Sequence, residues 1–209
     1  MAELGLFPLP LVLVPTERVP LHIFEPRYRA LVGECVETGD EFGIVLVRPD
    51  GDVHDIGTRA AVSQVLEVLP DGRMNIVVEG GDRFRLLEVE RTDSFDIGTV
   101  EELTDAAGDA APPADLDRAL GLYAKLQETV GTANEPPDPR SPALDWELIA
   151  RVEFPAERKQ ELLELTSPRR RLALLIELLE RGLQALELQS ELHRRAASNG
   201  KVTALPEES

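Results

Sequence analysis

The sequence is poor in cysteine, histidine, aromatic residues and bases, and each shortage removes a class of function. Cys35 is the only cysteine, so no intrachain disulfide and no cysteine-rich metal site can form, and a reducing, cytoplasmic setting is expected. The three histidines, His22, His54 and His193, lie in separate segments without His-x-x-x-His or His-x-Glu spacing, and no metal or other cofactor is expected. Aromatic residues make up 4% of the chain, and 39 acids outnumber 22 bases for a net charge of -17. That field repels nucleic acid and anionic membrane surfaces, and few rings are present to stack on single-stranded bases. No apolar run approaches the ~20 residues needed to cross a bilayer. The apolar start is not a secretory signal either, because it lacks a basic leader, carries Glu3 and is broken by Pro8, Pro10 and Pro15. Neither a G-x-x-x-x-G-K-[ST] phosphate loop nor a G-x-S-x-G nucleophile elbow occurs, which removes a P-loop nucleotide site and any promoted serine of that kind.

What is present is an apolar content of 43%, enough for a core in a chain of 209 residues. The charge is uneven. Residues 1–103 hold 20 acids and 9 bases, so the first half carries the acidic surface. Leu4 to Leu13 mixes apolar residues with prolines, which suits an edge or bulged strand and excludes a helix. The run Val19-Pro20-Leu21-His22-Ile23-Phe24 favours extended backbone, and Glu25-Pro26 places an acid and then a proline where a helix can start. Tyr28, Leu31, Val32 and Cys35 follow at helical spacing, with Gly39 as the stop.

Strand signals fill Phe42 to Leu103. Pro70-Asp71-Gly72 has the corner residues of a hairpin turn between Ala60–Leu69 and Met74–Val78. Gly80-Gly81-Asp82 is expected to separate that second strand from the next, and the alternation slips at Leu86-Leu87 as a bulge requires. About six strands with one early helix are expected to close as a small barrel over residues 1–105. Residues 106–114, rich in Ala, Asp, Gly and Pro, read as a linker. Helices are predicted over Asp115–Val130, with Asp115 as cap, and then over Ala143–Val152 and Pro155–Leu165. A long last helix enters at Ser167-Pro168, and the helical domain spans 115–198 before a flexible tail over 199–209. The fold class is therefore α+β.

The opening run closely resembles the amino-terminal, substrate-binding domain of Lon-type ATP-dependent proteases, a domain that also occurs as a free-standing protein. Three further stretches match that family's order of motifs: Ile56-Gly57-Thr58-Arg59-Ala60, Leu69-Pro70-Asp71-Gly72-Arg73, and Val78 to Arg85 through Gly80-Gly81-Asp82. Lys159 to Glu164 and Arg171 to Leu175 look like its helical segment. The resemblance implies a pseudo-barrel similar to the PUA fold followed by a helical bundle. It also implies contact with unfolded or partly folded polypeptides, with a protease or chaperone as a further partner. The family's ATPase motif is absent, and its serine-lysine protease domain has no room here, so the chain is expected to bind and not to cleave.

Pro20, Leu21, His22, Ile23, Phe24, Arg27 and Tyr28 are the candidate contacts, on the condition that some of them are exposed; the alternative is that they only fill the barrel. The concave side between barrel and bundle is the expected place for a ligand. Asp52, His54 and Asp55 are a weak metal candidate, and Cys35 on an amphipathic helix reads as a small buried hydrophobe before it reads as a nucleophile. Arg169-Arg170-Arg171 and the PUA likeness keep an RNA or small-ligand binder as the alternative function. The leucine stripe of the last helix suits bundling within the chain, with self-association as the alternative.

Overall fold

The structure, a computed structural model, describes residues 1–132 and 134–199; beyond Asn199 the expected tail lies outside the described residues. The chain runs β1 (Ala2–Leu9), β2 (Arg18–Ile23), α1 (Pro26–Thr38), β3 (Phe42–Leu46), β4 (Ile56–Val68), β5 (Met74–Glu90) and β6 (Ile97–Glu102). Five helices in all are described, the later four being α2 (Pro113–Val130), α3 (Leu144–Ala150), α4 (Ala156–Glu164) and α5 (Pro168–Asn199). The strand order is β2-β5-β4-β3-β1-β6, and β5 also pairs with β6. That extra pairing closes five strands on themselves and leaves β2 as a flap on β5. Closure is possible because β5 is 17 residues long. Its first part, to Glu79, pairs with β2, and its part from Phe84 pairs with β6.

Local chemistry sets the boundaries. Pro26 occupies the first turn of α1, and Gly39 ends it at φ 79 with its N–H donating to the Cys35 carbonyl. The Pro70-Asp71-Gly72 turn forms as expected, with Gly72 at φ 83 and its N–H donating to Leu69. The bulge near Leu86 is also present, as a register shift between Leu86 and Glu88. Ser167 caps α5 by accepting from the Arg170 N–H at 3.1 Å.

Two expectations need correction. Gly80-Gly81-Asp82 does not divide two strands, since β5 runs unbroken through it. The glycine is there for contact: Gly80 exchanges backbone hydrogen bonds with Thr16 and Glu17, each 2.8 Å, so the loop after Val14 lies directly on the strand. Asp115 does not cap α2. The helix begins at Pro113 with Pro112 as its N-cap, and Asp115 sits in the first turn, where its charge faces the positive helix end.

The barrel is packed by Phe7, Leu13, Ile23, Leu31, Val32, Phe42 and Ile76 at the α1 end and by Leu4, Leu6, Val45, Phe84 and Val100 at the other. A third cluster joins Val12, Val14, Leu46 and Ile56 of the barrel to Trp146, Leu148, Leu163, Leu172 and Leu175 of the helices. The junction is also charged. Arg171, 1% exposed, donates from Nε to Asp145 at 2.7 Å and from both terminal nitrogens to Asp105 at 2.9 and 2.6 Å. Arg83 of β5 pairs with the same Asp105 and donates to the Leu163 and Leu165 carbonyls at 2.7 and 2.9 Å. Both guanidiniums lie over the Trp146 ring, at 4.0 Å for Arg171 and 5.0 Å for Arg83.

Candidate functional site

The candidate residues divide by the alternation of β2. Val19, Leu21 and Ile23 turn inward, and Ile23 is buried at 1% exposure, so it is core and reaches no partner. Pro20 and His22 are exposed on the outward side, and the His22 ring lies stacked on Phe24 with centroids 6.0 Å apart. Tyr28 is half-buried against Phe7, with rings 4.2 Å apart, while Arg27 stands exposed beside it. The seven residues therefore resolve into an outward set, Pro20, His22, Phe24 and Arg27, and an inward set.

The tip of the β4–β5 hairpin extends this surface. Register places Val68, Met74 and Ile23 in one row, and Glu67, Asn75 and His22 in the next. The second row is hydrogen-bonded: His22 Nδ1 donates to Asn75 Oδ1 at 2.6 Å, and Asn75 Nδ2 donates to Glu67 at 2.9 Å. Pro20, Leu21 and Leu66 stand around that row in a shallow depression of about 550 Å³. Phe24 and Leu66 are 59% and 53% exposed on this outward side, whereas Val68, 62% exposed, shares the row and therefore the face of the buried Ile23 and Met74. Arg29 of α1 donates to the Asp71 carbonyl at 2.5 Å and so ties the hairpin tip to the helix. Sequence reasoning missed Leu66; its signal was a hairpin arm longer than the core beneath it.

The expected cleft between barrel and helices is mostly filled by the shared core. What remains there is a crevice of about 330 Å³ that includes Leu11, Val19, Phe154 and Lys159. The other candidates are not assembled into sites. His54 turns to Glu164 at 3.3 Å and away from any cluster with Asp52 and Asp55. Among the described residues no group of three or more potential metal ligands comes together, and no helix is long and apolar enough to cross a membrane. Of the arginine triplet, Arg171 is internal and Arg169 faces Asp109 at 3.7 Å, so no basic patch arises from it.

Cys35 is buried on α1. Burial, reinforced by the Asp40 and Glu34 carboxylates, pushes its thiol up to about 11. At pH 8 only about one molecule in a thousand then carries the thiolate, against roughly a quarter for a free cysteine. Alkylation at pH 8 is expected to be at least a hundredfold slower, on the order of that ratio, in the native protein than in urea. Equal rates would show an accessible, activated thiol.

The model of the ATP-dependent protease La (LON) substrate-binding domain matches residues 3–181. The chain belongs to that family. A Lon protease of Porphyromonas gingivalis is 25% identical over 203 residues, covering 88% of this chain and 24% of its own length. Lon protease 2 of Myxococcus xanthus is 27% identical over 204 residues, covering 87% and 24%. The chain thus spans about a quarter of the length of the curated relatives it matches. Among solved structures, the Lon N-terminal domain protein from Xanthomonas campestris aligns with a TM-score of 0.68 at 28% identity, over 85% of this chain and 98% of that one. The N-terminal domain of the Mycobacterium avium complex Lon protease aligns at 0.65 and 19% identity, over 86% and 98%, and supports the fold. The α+β Lon N-terminal-like architecture is therefore common to this chain and these relatives.

Proposed function

We propose that this chain is a non-catalytic polypeptide-binding module that acts as an adaptor or regulator in protein quality control. It takes hold of unfolded segments on the outward side of β2 and the neighbouring hairpin tip. The observation that carries this reading is the pair of exposed apolar side chains, Phe24 and Leu66, beside Pro20 and His22. Family membership supports it, since the matching model is that of a substrate-binding domain. Residues 1–103 as a whole hold 20 acids and 9 bases, which favours segments that combine apolar and basic residues.

The binding unit in this reading comprises the barrel over 1–105 and the helices over 115–198 acting together. The test is retention of reduced, alkylated lysozyme, a basic unfolded chain, on the immobilised protein with and without ATP. Retention independent of ATP is expected. Phe24→Ser combined with Leu66→Ser is expected to cut it by about tenfold, equivalent to ~1.4 kcal/mol. Both positions are exposed, so the melting temperature stays close to that of the unaltered protein. Unchanged retention by the double variant would remove this surface from consideration.

A further inference from the structure

On the helical side of the molecule α2 and α5 run parallel, joined by Arg118–Glu180 at 2.6 Å and Lys125–Glu187 at 2.8 Å. Between them and the 151–155 segment lies a groove of about 780 Å³, within the range of ligand-binding clefts. Leu126, Val130, Val152, Phe154, Leu178 and Leu186 give it an apolar lining. Its wall on α5 has a specific form. Leu178, Arg181, Gly182 and Ala185 all line the groove, and the spacing i, i+3, i+4, i+7 is that of a hole into which a side chain from another helix inserts. Gly182 sits in the middle of a 32-residue helix, where glycine is a poor helix former, and a Cβ built there meets nothing within 4 Å among the described residues. Among the described residues nothing fills the hole, because the residue at its centre has no side chain.

Among the described lining residues arginines outnumber acids. Arg151 at the end of α3, Arg158 on α4 and Arg181 on α5 border the groove, with Glu153 as the one acid among its described lining residues, in a protein of net charge -17. Each arginine is exposed and holds a carboxylate close to it in sequence: Glu147 at 3.6 Å, Glu161 at 2.8 Å and Glu177 at 2.6 Å. Exposed pairs of this kind are weak and readily exchanged for a ligand carboxylate, which guanidinium binds in a planar fork. Three arginines on three different elements call for several carboxylates distributed along a segment, and a single acid head group engages only one of them.

We infer that this groove receives an amphipathic helical segment of a partner protein, with its apolar stripe against α2 and α5, one large side chain in the hole at Gly182, and glutamates or aspartates along its flanks. This site is separate from the β2 surface and does not rest on the reading given above.

The test uses the full chain and a fluorescent peptide of about 16 residues, long enough to form helix, with leucines at helical spacing and glutamates on both flanks. Saturable anisotropy is expected. Gly182→Leu is expected to weaken binding by about tenfold or more while holding the melting temperature at or above that of the unaltered protein, since leucine is the better helix former. Ala185→Leu gives an independent blockade of the same hole. Arg158→Glu with Arg181→Glu is expected to weaken the glutamate-flanked peptide to a similar degree and to favour a lysine-flanked version of it. Both effects leave lysozyme retention unchanged, whereas Phe24→Ser with Leu66→Ser alters retention alone. The inference is overturned by absence of saturable binding, by equal affinity for the two peptides, or by indifference to both hole-filling variants. It is equally overturned if dodecanoate binds in place of the peptide, or if sedimentation shows a dimer that Gly182→Leu dissolves, since the occupant is then a lipid or a second copy of this chain.

Discussion

Arg171→Ala is expected to lower the free energy of unfolding by about 3–5 kcal/mol, the usual cost of removing one member of a buried ion cluster. The arginine touches Asp105, Asp145, the Leu165 carbonyl and the Trp146 face. Its removal leaves Asp145 without its cation, and Asp105 keeps only Arg83. Arg169→Ala serves as the control. That side chain is mostly exposed and its ion pair is long, at 3.7 Å, so the expected change is within about 0.5 kcal/mol. Urea unfolding followed by Trp146 fluorescence reads both variants. A loss below 1 kcal/mol, at about a fifth to a third of the expected range, would mean that the cluster does not hold barrel and helices together.

The same cluster sets a pH dependence. Burial acts to raise the Asp105 pKa, but the hydrogen bond and charge of Arg171, followed by the charge of Arg83, outweigh it and hold the carboxyl below its ordinary range. A carboxylate depressed in the native state contributes stability that is complete above its unfolded value of about 3.9 and is lost as pH falls through the lower native value. With Arg171 removed this contribution shrinks, and the acid-unfolding midpoint moves to higher pH.

Elements bounded by local chemistry were legible in the sequence. Pro26 and Gly39 delimit α1, the Pro70-Asp71-Gly72 turn fixes a hairpin, and the slip at Leu86-Leu87 marks a real bulge, because each depends on residues a few positions apart. The candidate surface was legible only in part. Leu21, Ile23 and Phe24 are all apolar, so composition cannot say which faces inward; the register with Ile76 and Met74 decides it. Nothing local distinguished Arg171 from Arg169 and Arg170, since its partners lie 26 and 66 residues away. The groove at Gly182 was invisible for the same reason, its walls coming from α2, α5 and the segment after α3. Contacts between distant segments carry no local periodicity to read.

Gly80→Ala is expected to destabilise the protein by about 3 kcal/mol, at the upper end of the usual overpacking cost. An added Cβ would lie 2.1 Å from the Val14 carbonyl oxygen and 3.2 Å from Leu13 Cγ. The nearer obstacle is backbone, which cannot rotate aside as a side chain can. Relief requires the loop at Val14 to lift from β5. That motion breaks the hydrogen bonds from the Thr16 N–H to the Gly80 carbonyl and from the Gly80 N–H to the Glu17 carbonyl. It also draws Leu13 and Val14 out of two different core clusters, and it disturbs the carbonyl of Leu13 that accepts from Thr58 Oγ1 at 2.6 Å. Gly182→Ala is the matched control, because its Cβ meets nothing within 4 Å among the described residues and alanine favours helix. A calorimetric scan should show the melting temperature falling for Gly80→Ala and holding or rising for Gly182→Ala. If both variants melt with the unaltered protein, Val14 does not rest on β5, and the reason for a glycine at position 80 is conformational freedom in an unpaired turn.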